Sequence, residues 1–121
     1  MCADIVSAEN GIITLKVSGK LTQPELALAQ RTMGVILRMK GKMSILVLTE
    51  NFQGWDKKGD WGDMSFQNVY DQNMEKMAIV GHKKWKDLAV MFTGKGLRRC
   101  LVEYFPPEDA VQAKAWLMAS T

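Results

Sequence analysis

Met43-Ser44-Ile45-Leu46-Val47-Leu48 is apolar at every position except Ser44. A strand with one face in water alternates apolar and polar residues. A run without alternation reads as a strand covered on both faces, and such strands are usually parallel. This segment predicts an interior strand of an α/β sheet, and the chain on either side of it agrees.

Upstream, Gly41 ends a helix at a position where left-handed αL geometry is wanted. The helix starts at Thr22-Gln23-Pro24-Glu25. Thr22 accepts from a free backbone N–H there, and Glu25 reaches back to the cap. Pro24 costs little in a first turn, whose N–H groups have no helical partner. Leu26, Ala29, Met33, Ile36 and Leu37 then recur at helical spacing. Further upstream, Asp4–Glu9 and Ile12–Val17 flank Asn10-Gly11. Both turn residues tolerate positive φ, so a type I′ hairpin is expected.

Downstream, Glu50–Asp60 reads as a polar, glycine-bearing loop that carries Phe52 and Trp55. A helix over Trp61–Asn73 and a short strand over Met77–Val80 follow. His82–Phe92 is amphipathic, with Trp85, Leu88, Ala89 and Phe92 on one face. Gly94 and Gly96 close it, and Arg99–Tyr104 reads as the last strand. Pro106-Pro107 stops that strand. Glu108 and Asp109 put negative charge at the positive end of a final helix that buries Ala113, Trp116 and Leu117. The order is β-β-α-β-α-β-α-β-α. It predicts an α/β fold: a mostly parallel five-stranded sheet with an antiparallel edge strand and helices on both faces. At 121 residues the chain is expected to be one domain, 1–121.

Three stretches carry a resemblance. One is Phe52-Gln53-Gly54-Trp55. Another is Met77-Ala78-Ile79-Val80-Gly81 followed by Lys84-Trp85. The third is Tyr104-Phe105-Pro106 leading to Ala113-Lys114-Ala115-Trp116-Leu117. In order and spacing they resemble the SpoIIAA-like family of bacterial proteins, over nearly the whole chain. The resemblance implies the STAS-type fold, of which the anti-sigma-factor antagonist SpoIIAA is the type, and a similarity to the lipid-binding lobe of CRAL-TRIO proteins. It implies no particular reaction. Anti-sigma-factor antagonists carry a phosphorylatable Ser or Thr in an Asp-Ser-Ser-Gly-Leu-like motif. Here the corresponding stretch is Trp61-Gly62-Asp63-Met64-Ser65-Phe66. Ser65 lies near the right place, but the motif is absent.

Composition excludes several classes. Hydrophobic residues at 47% rule against disorder. A net charge of +3 is too small for a nucleic-acid binder, and Asp87 interrupts the group Lys83, Lys84, Lys86. No apolar run approaches the ~20 residues of a membrane span. Cys2 and Cys100 form neither a disulfide framework nor a metal pair, so a reduced, cytoplasmic setting is expected.

No catalytic constellation is visible, and no cofactor motif. His82, the only histidine, opens a helix without a Ser-His-Asp order or an HExxH motif. Asp56, Asp60 and Asp63 lack a metal-binding spacing, and a helix cap explains Asp60 or Asp63 as well. Gly94-Lys95-Gly96 is not a phosphate loop. The informative residues are Phe52, Trp55 and Trp61, aromatic side chains at the carboxyl end of a parallel strand, where open α/β sheets bind ligands. Three readings stay open: a lid over the core, the wall of a pocket, and a dimer surface.

The expectation is a non-enzymatic binding module. Its ligand is a small apolar or amphipathic molecule, lipid included, or a partner protein. Phe52, Gly54, Trp55, Trp61 and His82 form the candidate site, and homodimerisation is expected. The alternative is a regulatory protein switched by phosphorylation at Ser65.

Overall fold

The computed structural model of the chain describes residues 3–55, 74–82 and 101–119. Asn10 and Gly11 take φ of 56° and 76°, the positive values a tight hairpin turn demands. They join β1 (Ala3–Glu9) to β2 (Ile12–Leu21), which pair antiparallel. Thr22 then starts α1 (Gln23–Lys40) as expected: the Glu25 backbone N–H donates to Thr22 Oγ1 at 3.4 Å. The Glu25 carboxylate reaches back to the cap, accepting from the Thr22 hydroxyl at 2.7 Å. Gly41 ends the helix with positive φ, but its ψ of −123° lies outside the αL well that was expected.

β3 (Met43–Trp55), β4 (Met74–Val80) and β5 (Leu101–Phe105) complete the sheet. A 3₁₀ turn over Pro107–Asp109 then leads into α2 (Ala110–Met118). The strand order is β1-β2-β3-β4-β5. All pairs from β2 onward are parallel, so β1 is the antiparallel edge strand. The helices expected over 61–73 and 82–92 fall outside the described residues, apart from His82 itself.

Alternation along the strands divides the core into two layers. Ile13, Leu15, Val17, Ile45, Met77 and Ile79 turn to one side, where Ala29, Met33 and Leu37 of α1 cover them. Ile12, Leu46, Ala78 and Val80 turn to the other, against Ala113 and Leu117 of α2. Helices therefore cover both faces, which is why the Met43–Leu48 run shows no polar alternation. Trp116 is half-buried rather than buried, its ring 5.8 Å from that of Phe105.

Three strand boundaries correct the sequence reading. β2 runs on to Leu21, four residues past Val17, because β3 offers it a parallel partner there. β4 begins at Met74, three residues before Met77, and so takes in Lys76, which is buried among the apolar layers. Its ammonium donates to the carbonyls of Trp116 and Ala119, both at 2.8 Å, and lies 5.1 Å from the centre of the Trp116 ring. Those carbonyls sit at the negative end of α2, where a cation is favoured. The third correction concerns β3 and shapes the site.

Candidate functional site

Glu50-Asn51-Phe52-Gln53-Gly54-Trp55 is not a loop. It continues β3. Its polar and glycine residues suggest a turn, yet β2 supplies a strand to pair with it. Ser18 pairs with Glu50, Gly19 with Phe52 and Leu21 with Trp55. Between the first two pairs β3 has one residue too many, and between the last two pairs it has another. Asn51 at φ 53° and Gly54 at φ 96° provide the left-handed geometry. Asn accepts it better than most residues, and Gly accepts it freely. These are β-bulges, which are rare in parallel pairs and bend the strand that carries them.

The first bulge rephases the strand. Met43 and Ile45 face the α1 layer. Regular alternation would bring Asn51 to that face. The extra residue gives the position to Phe52, which is half-buried and packs against the α1 layer. Gln53 is exposed and Gly54 is buried.

β3 also outruns its other neighbour. Its pairing with β4 ends at Leu48 and Val80, whereas its pairing with β2 runs on to Trp55. Among the described residues a two-stranded ribbon therefore runs on past the end of β4, up to about 20 Å at ~3.3 Å per residue. At its base Lys16 and Glu50 form an ion pair at 2.8 Å. The Glu50 carboxylate, first by hydrogen bonding and then by charge, raises the Lys16 pKa above its ordinary value.

Beside the ribbon, side chains pin the end of β4. Thr49 Oγ1 donates to the Val80 carbonyl at 2.9 Å, and Tyr104 Oη donates to the Gly81 carbonyl at 2.7 Å. The Gly81 backbone N–H donates to the Phe105 carbonyl at 3.2 Å. Burial, then the negative charge of Glu108, pushes the Tyr104 phenol above its usual pKa and favours the neutral donor form. The next residue is His82, exposed on this fixed backbone.

The structure thus brings Phe52, Gly54 and His82 to one end of the sheet, together with the backbone of Trp55. Trp61 and Ser65 lie outside the described residues, as do Asp56, Asp60 and Asp63. Sequence reasoning gave no role to Thr49 and Tyr104. Tyr104 lies near the carboxyl end of β5, and Thr49 follows the apolar run Met43–Leu48; those positions were the available signal. Among the described residues no group of three or more His, Cys, Asp or Glu side chains could hold a metal ion. No helix among them is long and apolar enough to cross a membrane.

A parallel sheet with an antiparallel edge, helices on both faces and a built-up carboxyl edge defines an open α/β domain with a mixed five-stranded sheet. The chain belongs to the SpoIIAA-like family, whose sequence model matches residues 12–118. It is similar in fold to an uncharacterized protein from Shewanella loihica whose crystal structure shows a SpoIIAA-like fold. The TM-score is 0.71 at 18% identity, over 95% of this chain and 91% of that one. No curated protein matches the chain.

Proposed function

We propose that this protein is a non-enzymatic binding module whose site is the carboxyl edge of the parallel strands. The ligand is a small amphipathic molecule. Its apolar part lies along the β2–β3 ribbon at Phe52, and Trp55 and Trp61 are contacts proposed from the sequence alone. Its polar end meets His82. The observation that carries this reading is the ribbon itself. A strand that outruns its neighbour by two bulges, each with a residue in left-handed geometry, is not needed to complete the sheet. It adds a wall at the end where open α/β sheets bind ligands, and bulges are over-represented beside functional sites. The anchored Val80-Gly81 backbone gives His82 a fixed base, which lowers the ordering cost of binding.

The test is tryptophan emission titrated with long-chain fatty acids and a lipid extract, alongside thermal melting. A true ligand shifts emission saturably and raises the melting temperature. At a hundredfold excess over Kd the added stability is about 2.7 kcal/mol. Phe52→Ala and His82→Ala weaken the response. Emission and melting temperature unchanged across the whole panel would remove the reading.

A further inference from the structure

The described residues include six exposed large apolar side chains, and three of them stand on α1: Leu28, Val35 and Met39, with 47%, 56% and 76% of their surface exposed. Scattered exposed apolar residues are ordinary. These three are not scattered. With Thr32 they follow a 4-3-4 spacing, the a/d pattern of a helix–helix seam. At 3.6 residues per turn the four fall within a sector of about 60°. Thr32 does not interrupt the stripe: its hydroxyl donates back to the Leu28 carbonyl at 3.4 Å. The opposite side of α1, with Ala29, Met33 and Leu37, is already used by the core.

Among the described residues of α1, the charges on this flank of the stripe are of one sign. Arg31 and Arg38 lie seven residues apart on the same side of it, both exposed, and the helix runs out into Lys40 and Lys42. The one acidic residue of α1, Glu25, lies in the first turn and is engaged at the cap.

We propose that the outer face of α1 docks an amphipathic helix of a partner protein whose flank is acidic. The narrow seam fits a helix better than a bilayer, because interfacial helices bury a broad apolar sector. A second copy of this chain fits less well. Antiparallel self-pairing would match Leu28 with Met39 and Thr32 with Val35. It would also bring Arg31 of one copy within two residues of Arg38 of the other, on the same flank. Like charges so placed are destabilising, whereas carboxylates on a partner are attracted.

Two fluorescein-labelled synthetic helices with the same leucine seam test this, one flanked by Glu and the other by Lys. The Glu-flanked helix binds at low salt, and the Lys-flanked helix binds at least tenfold more weakly. Val35→Glu, at an exposed site that leaves folding intact by circular dichroism, weakens the Glu-flanked helix at least tenfold. Arg31→Glu narrows or inverts the preference, and Val111→Glu, on α2, changes nothing. Failure of both peptides to bind, equal binding of the two, or indifference to Val35→Glu overturns the proposal. So do phosphatidylglycerol-vesicle binding that Val35→Glu abolishes, which indicates a membrane surface, and sedimentation showing a dimer that the same change dissociates, which indicates self-pairing.

Discussion

Gly81 is a glycine for want of space. Its backbone does not adopt positive φ, so conformational freedom is not the reason. A Cβ placed there would stand 2.0 Å from Thr49 Oγ1 and 3.2 Å from Thr49 Cβ. Thr49 cannot simply yield, because that oxygen donates to the Val80 carbonyl. Gly81→Ala must therefore either push β3 from β4 or turn Thr49 out of its hydrogen bond. Overpacking costs about 1–3 kcal/mol, and the lost hydrogen bond about 1 kcal/mol more, so the expected loss is about 2–4 kcal/mol. Thr49→Ala alone costs about 1 kcal/mol. In the double variant the new methyl occupies the space the hydroxyl left, and only the Cβ contact needs a shift of a few tenths of an ångström.

The double variant should therefore be about as stable as Thr49→Ala, within ~1 kcal/mol, rather than showing the sum of the two losses. That is a coupling of about 2 kcal/mol, within the range for residues in direct contact. Urea denaturation of the wild type and the three variants measures it, with midpoints converted through a common slope. Losses that add to within about 0.5 kcal/mol mean that Thr49 and Gly81 do not touch, and the anchored end of β4 beneath His82 would have to be abandoned.

Replacing Lys76 with Met keeps the apolar stem and removes two charge-assisted hydrogen bonds to the end of α2. The expected loss is about 2 kcal/mol, read by urea midpoint, with faster amide exchange in the last turn of α2. Thr22→Ala removes the α1 cap and should cost about 1 kcal/mol, whereas Thr22→Asn should cost little. Burial and then the charge of Glu108 hold the Tyr104 phenol above the ordinary phenol value of 10.0 in the folded state. The stability that goes with its neutral form is whole below pH 10.0 and is lost as pH rises through the folded value. Denaturation between pH 8 and 11 should show that fall steeper in the wild type than in Tyr104→Phe, and identical slopes would count against the hydrogen bond to Gly81.

What could be read from the sequence was whatever local chemistry decides. Asn10-Gly11 makes a hairpin turn because both residues accept positive φ, and Thr22 caps because its oxygen is three residues from the Glu25 N–H. The Met43–Leu48 run needed only the periodicity of two faces, both covered. The misreadings share one cause: the partner that decides lies far along the chain. Glu75 and Lys76 look too polar for a strand, but Lys76 is satisfied by carbonyls 40 and 43 residues on. Glu50–Gly54 has turn composition, but Ser18–Leu21 offers an edge that it pairs with once Asn51 and Gly54 absorb the mismatch. Residues that permit a loop also permit a bulged strand, and a parallel neighbour over 30 residues away decides between them. The same holds for the candidate site. Phe52 and His82 stood out as residue types, but Thr49, Gly81 and Tyr104 acquire roles only when β3 and β5 flank the end of β4. A site assembled from strand termini is dispersed in sequence. The aromatic residues that first marked it are legible, and the groups that fix the backbone beneath His82 become so only in the fold.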